Sequence, residues 1–224
     1  SKINIPLTII DSNGFKDNKD IILNLIKERS INKVFWNNQF GNDEQNRDDT
    51  VTRSFKKNDI EFSSYHEKVI FSPGSIRTAE DKPYSVFTPF KKKWIENFNL
   101  DLLDIEFKYL PKKKTLIQSN TSKFDFHFKR NHLVDMTIWP PGESHARDRL
   151  KSYLSKNILR YSQDRNDPII DGTSRISPYL ANGIISPKRC ILEALKINNF
   201  ELDTGEKGIT KWIDEIIWRE FYKN

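Results

Sequence analysis

The chain has 224 residues, 30% charged and 36% hydrophobic, which suffices for one large domain or for one domain and part of another. Its formal net charge of +6 suits a polyanionic partner and equally a lysine-rich solvated surface. A single cysteine, Cys190, excludes an internal disulfide, and no apolar run approaches the ~18 residues of a membrane span, so a cytoplasmic protein in a reducing compartment is expected; a monomer is expected as well, on no feature of the sequence.

Residues 5–10 are apolar and β-rich, as in a buried strand, and Asp11 to Gly14 break the pattern. Residues 18–29 place Ile21, Ile22, Leu25 and Ile26 on one helical face, and residues 32–37 form a second strand. Strand, helix, strand implies a parallel sheet. A polar helix over 43–58 and short β-like pieces over 60–71 extend an α/β domain to about residue 98. Such sheets have several strands, so the opening on a buried-looking strand leaves this one incomplete. Residues 99–141 lose periodicity and carry Pro111, Lys112 to Lys114 and Pro140-Pro141, as expected of a long interdomain linker. Phe124, Phe126 and Phe128 alternate with polar residues, as in a docked patch or a short strand.

From residue 142 the pattern is helical. Ala146, Leu150, Tyr153, Leu154 and Ile158 share helical spacing. Ser177-Pro178 and Ser186-Pro187 are helix starts, Gly183 is a stop, and Thr210 is expected to cap a last helix. Cys190 reads as a small buried apolar residue.

Two stretches carry chemistry. In 171–178, Thr173, Ser174 and Ser177 put three hydroxyls within five residues, with Arg175 as a fixed cation and Gly172 permitting close approach. With a helix start at Ser177, these features favour a phosphate or pyrophosphate; a capping turn that binds nothing is the alternative. In 212–222, Trp212, Glu215, Trp218, Arg219 and Tyr222 fall within about 120° of one another on a helix, opposite Ile213, Ile217, Glu220 and Phe221. Indoles stack on bases and flavins, a carboxylate accepts from pyrimidine N–H groups, and arginine pairs with phosphate. Ordinary packing with an i,i+4 Glu–Arg pair is the alternative. Tyr161 and Arg165 share a face if their helix continues. The four histidines, among them His127 and His132, lack metal spacing. Asp43 and Glu44 suit a helix start.

Taken together, Phe35-Trp-Asn-Asn-Gln39 with Asp43-Glu44, Tyr84-Ser-Val-Phe-Thr-Pro-Phe90 with Trp94, Pro141-Gly-Glu143, Tyr161 with Arg165, the block from Gly172 to Pro187, and Trp212 to Tyr222 resemble the photolyase/cryptochrome family. The Thr-Ser-Arg-Ile-Ser-Pro and Trp-Arg-Glu-Phe-Tyr blocks are specific in that pairing and order. The look is nearest to bacterial enzymes that repair cyclobutane pyrimidine dimers. The resemblance implies an α/β antenna domain (1–98), a linker (99–141) and the beginning of an all-helical FAD domain (142–224). It implies FAD contacts at Tyr161, Thr173, Ser174, Arg175, Ile176, Ser177 and Trp212, and contacts to dimer-containing DNA at Arg165, Glu215, Trp218, Arg219 and Tyr222. It implies no protein catalytic residue, because the flavin does the chemistry. A folate antenna, 5,10-methenyltetrahydrofolate, would sit at Asp43 and Glu44, where folate-type members show Asn-Glu. The first strand, with its arginine-rich motif, and the later flavin-pocket helices are expected to be absent from this chain. The alternatives are a cryptochrome-like light sensor without repair activity and an inactive DNA-binding fragment.

Overall fold

A computed structural model describes residues 7–10, 12, 14–103 and 137–224. Among them, residues up to 65 form one compact unit and those from 66 on form a second.

The first unit is α/β. After a 3-10 turn at Phe15–Asp17 come α1 (Asn18–Glu28), β1 (Lys33–Asn37), α2 (Asn42–Lys57) and β2 (Glu61–Tyr65). The strands run parallel, with Lys33 opposite Glu61 and Asn37 opposite Tyr65, so β1, α2 and β2 make the crossover unit that parallel pairing requires. Lys33 and Glu61 form a cross-strand ion pair. Ile26 of α1 and Val51 and Phe55 of α2 are buried against one sheet face, where Trp36 stacks on Phe62 at 5.3 Å and meets Phe55 edge-on at 5.8 Å. The parallel α/β fold expected from the alternation of patterns is present. The expected strand at 5–10 lies partly outside the described residues. Within 7–10 only Thr8 makes a bridge, and Leu7 and Ile10 are exposed rather than buried.

The second unit is helical. It comprises α3 (Phe87–Asn97), a 3-10 turn at Leu100–Leu103, α4 (Glu143–Lys156), a 3-10 turn at Ile158–Arg160, α5 (Tyr161–Asp164), α6 (Ser177–Ala181), α7 (Pro187–Ile197) and α8 (Lys207–Phe221). No described residue from 66 on belongs to a strand. Apolar positions from α3, α4, α7 and α8 converge on one core, with Phe90, Trp94, Ala146, Ile191, Leu195, Ile209 and Ile213 fully buried. Lys91 of α3 pairs with Asp214 of α8 at 2.5 Å, and Phe90 packs on Phe221 at 5.2 Å.

The boundary between compact units falls at 65/66, whereas the sequence pattern put the end of the α/β domain near residue 98. Residues 66–103 pack with the helical core because Val69, Ile70 and Ile76 are buried there and α3 contributes Phe90 and Trp94. The β-like pattern beyond Tyr65 forms no strand, because its backbone groups are bonded by side chains of α8 and of Asn224 just past it instead. The Ile70 and Phe71 N–H groups donate to Glu220, and Asn224 Oδ1 accepts from Gly74 N at 3.2 Å while its Nδ2 donates to Ile76 O at 3.0 Å. Most of the expected linker, with Phe124, Phe126 and Phe128, lies outside the described residues.

Two expected caps differ. Ser186 caps α7 as expected, accepting from Lys188 N at 3.2 Å. Ser177 is instead the first residue of α6, with Ile176 at the cap position. Arg175 takes a positive φ of 49°, which turns Ile176 into the core and moves the helix start. The last helix starts at Lys207 rather than at Thr210, whose hydroxyl donates to Lys207 O inside the first turn. Gly208 permits that early start: a Cβ there would stand 2.2 Å from Ile158 O and 2.3 Å from Leu159 O.

Gly208→Ala should therefore destabilise the protein. Alanine gains up to ~1 kcal/mol of helix propensity over glycine, but the clash is with backbone carbonyls that cannot swing away, and overpacking costs roughly 1–3 kcal/mol. Urea denaturation should show a net loss of about 1–2 kcal/mol; a variant more stable than the parent would show that the contact is slack.

Candidate functional site

The segment 171–177 lies against the ends of α4 and α5. Gly172 permits this approach, since a Cβ would come within 2.6 Å of Asp164 Cβ. The segment borders a cleft of about 490 Å³, to which it contributes Asp171, Thr173 and Ser174. The opposite wall is α4, through His145, Arg149, Ser152, Tyr153 and Lys156. Of the hydroxyls expected to gather there, Thr173 and Ser174 do so; Ser177 is exposed and does not line the cleft. Arg175 also stands outside the lining, paired with Asp171 at 2.8 Å, while its carbonyl accepts from Trp139 Nε1 at 2.9 Å. Ile176 is a core residue, 3% exposed. The helix that follows has only five residues, so the dipole expected from it is small.

Helix α8 joins this cleft to a second set of groups. Trp212 is buried and its indole N–H donates to Ser174 Oγ at 3.3 Å. One turn on, Glu215 forms a charge-assisted hydrogen bond with Arg165. That bond raises the Arg165 pKa against the opposing effect of burial. The Arg165 guanidinium also lies 5.2 Å over the Tyr161 ring. Burial, then the neighbouring Glu215 charge, raises the Tyr161 phenol. The expected neighbours Tyr161, Arg165, Glu215 and Trp212 are thus brought together.

Trp218 is half-buried, and its ring lies parallel to Phe87 of α3 at 3.7 Å and 10°, with Tyr222 at 5.7 Å beside it. Tyr222 is 77% exposed. The pattern of 212–222 identified these aromatics but not Phe87, which no local signal connects to α8. Arg219, expected on the polar stripe, is half-buried and donates to Lys68 O, and to Leu180 O at 3.2 Å. Burial lowers its pKa.

Glu220 is the residue that site reasoning passed over. Only 3% exposed, it accepts from Ile70 N at 3.2 Å and from Phe71 N at 2.5 Å. Trp94 Nε1 lies near enough to favour its charge but makes no hydrogen bond of full geometry. Burial outweighs these contacts and Arg219, and pushes the carboxyl up to about 7. Its place among Ile213, Ile217 and Phe221 on the apolar face was the available signal.

In the first unit, Asp43 and Glu44 occupy the opening turn of α2, where helix-dipole stabilisation accounts for them. The Glu44 carboxylate folds back on Gly41. Cys190 is fully buried and its thiol is pushed up to about 12, chiefly by burial, as suits an inert core residue. Among the described residues there is no cluster of metal-ligating side chains and no helix long and apolar enough to cross a membrane.

Residues 1–112 match the DNA photolyase family. The chain belongs to that family. The deoxyribodipyrimidine photo-lyase of Buchnera aphidicola subsp. Acyrthosiphon pisum is 30% identical over 226 residues, covering 99% of this chain and 45% of the relative. That of Escherichia coli K12 is 29% identical over 220 residues, covering 98% and 45%. The chain therefore spans about half the length of the curated relatives it matches. A bacterial class III photolyase from Agrobacterium tumefaciens shares the fold with a TM-score of 0.75 and 25% identity, over 92% of this chain and 42% of that one. A Synechocystis cryptochrome shares the fold alone, at a TM-score of 0.67 and 18% identity, over 92% and 43%.

The displaced acidity of Glu220 carries a test. A carboxyl whose folded pKa lies above its unfolded value binds its proton more tightly when folded, so its contribution to stability is lost as pH rises from about 4.5 to about 7. Glu220→Gln keeps an acceptor oxygen and removes the titration. Unfolding free energies from urea titrations between pH 4.5 and 8 should fall for the parent relative to E220Q by on the order of 3 kcal/mol across that window. Parallel profiles would show that another group titrates.

Proposed function

We propose that this chain serves light-driven repair of cyclobutane pyrimidine dimers in DNA, with FAD as the electron donor and a folate as antenna. The observation that carries this reading is the Glu215–Arg165 pair on the partly exposed face of α8, between Trp212, bonded to the cleft-lining Ser174, and Trp218 one turn beyond. The names of the relatives support it.

The residues at the cleft suit a diphosphate-bearing group. Thr173 offers a hydroxyl, Arg149 and Lys156 offer positive charge, and Asp171 is neutralised by Arg175. When bound, reduced FAD supplies the electron that opens the cyclobutane ring. The protein's part is to bind, orient and exclude water. Trp212 is buried behind the cleft wall, where its indole N–H holds Ser174 in place. Arg165 holds the Glu215 carboxylate, which can accept from pyrimidine N–H groups once a dimer is turned out of the duplex. Trp218, backed by Phe87 on one side, presents a rigid aromatic edge with the exposed Tyr222 beside it. The net charge of +6 draws the DNA backbone without reading sequence. The folate antenna belongs to the α/β unit, at the Asp43–Glu44 turn.

Glu215→Gln removes the charged acceptor and keeps the shape. A hydrogen bond to a charged group is worth roughly 1.5–3 kcal/mol, so E215Q should weaken binding to an oligonucleotide carrying one thymine dimer by about tenfold or more. Binding to the undamaged oligonucleotide should change less than about twofold at the same salt concentration. Equal losses on both would mean that Glu215 only supports Arg165 in phosphate binding, and the lesion-pocket reading would fail.

A further inference from the structure

Helix α3 runs antiparallel to α8, and two contacts one turn apart fix the register. Phe87 meets Trp218; four residues further along α3 and four back along α8, Lys91 pairs with Asp214 at 2.5 Å. Phe90 and Phe87 both pack on Phe221, at 5.2 and 5.9 Å. Asp214, Trp218 and Phe221 follow one another at spacings of four and three, so they form the row of α8 that faces α3. At about 100° per residue, Asp214 lies about 40° to one side of Trp218. Tyr222 lies about 40° to the other side, and Glu215 about 60°. Trp218 therefore stands between the row held by α3 and the row that carries the Glu215 carboxylate.

The rings follow these rows. Phe87 covers one face of the indole at 3.7 Å and 10°. Aromatic pairs prefer offset or edge-on arrangements with centroids about 4.5–7 Å apart, so an overlap this complete is set by the helix register rather than by the attraction of the two rings. Phe221 meets the indole edge-on at 82°. Tyr222 lies near-parallel to Trp218 at 5.7 Å and 26°, and among the described residues it makes no ring contact with Phe87, so it stands off the covered face. Trp218 is half-buried and Tyr222 is 77% exposed. The open part of the indole lies off the Phe87 face.

We propose that Phe87 is a positioning residue for dimer recognition: it blocks one face of Trp218, fixes the plane of the indole, and directs a flipped pyrimidine to stack from the side of Tyr222 and Glu215. Helix α3 is then part of the lesion pocket. A ring free to tilt would offer both faces and lose its alignment with the carboxylate. The inference rests on the lesion-pocket reading of α8.

The test compares Phe87→Leu, Phe87→Met, Phe87→Tyr, Trp218→Ala and the F87L/W218A double variant of this chain. Each is titrated at one salt concentration with an oligonucleotide carrying one thymine dimer and with its undamaged counterpart. F87L and F87M, which keep an apolar side chain without a flat ring, should weaken binding to the dimer by about fivefold. Binding to the undamaged oligonucleotide should change less than about twofold. F87Y, which keeps the ring, should bind both as the parent does. In the W218A background, F87L should cause no further loss on the dimer, because the two side chains act as one unit. Equal losses on both oligonucleotides would reduce Phe87 to ordinary packing and overturn the proposal. A loss in F87Y as large as in F87L overturns it, as does a loss that simply adds in the double variant. If W218A loses the preference for the dimer while F87L and F87M keep it, this proposal alone fails. If W218A keeps the preference, or the parent has none, the lesion-pocket reading fails first and this proposal with it.

Discussion

The helical unit depends on the way the end of α8 satisfies a backbone that has no secondary structure of its own. Residues 68–76 dip in and out of the interior, with Val69 and Ile76 each 1% exposed and Ser72 and Ser75 at the surface. Buried backbone N–H and C=O groups must find partners. Here α8 and the residues just past it supply them from three side chains: Arg219 on the carbonyl of Lys68, Glu220 on the amides of Ile70 and Phe71, and Asn224 on both groups of Ile76 and on the Gly74 amide. The partners are about 150 residues apart in sequence, so the contact closes a long loop. A buried carboxylate is costly in itself, and removing either side of this arrangement would leave uncompensated polar groups.

This anchoring sets the rotation of α8 about its axis, and the rotation sets the site. With Arg219 and Glu220 turned inward, Trp212 meets Ser174, Glu215 meets Arg165, and Trp218 lies flat on Phe87. The flush contact of Gly208 with the Ile158–Arg160 turn fixes the other end of the helix. A helix held at both ends presents its polar stripe with little freedom, which is what an orienting site requires. The same rigidity extends to α4, where Tyr153 is packed between Tyr161 and Trp212.

Much of the site was legible in the sequence because helical periodicity is local. The spacing of Trp212, Glu215 and Trp218 places them on one side of any helix, and the hydroxyls of 173–174 follow directly on Gly172. The positions where the structure departs from the pattern are those where a distant group competes. Arg219 falls on the polar stripe by angle, yet interior carbonyls draw it inward. Arg175 reads as a ligand cation, yet Asp171 four residues earlier takes it. Ile176 and Ser177 exchange roles with their neighbours because Arg175 adopts a positive φ.

The sequence by itself determined the α/β start, the parallel pairing implied by strand–helix–strand, the helical character from residue 143 onward and the amphipathic faces of α8, since each rests on a repeat a few residues long. Only the tertiary structure decided that residues 66–103 join the helical core, that the β-like run past Tyr65 forms no strand, that Phe87 backs Trp218, and that α4 faces Thr173 across a cleft. Those outcomes depend on which backbone groups find partners far along the chain, and a pairing across 150 residues leaves no trace in local spacing.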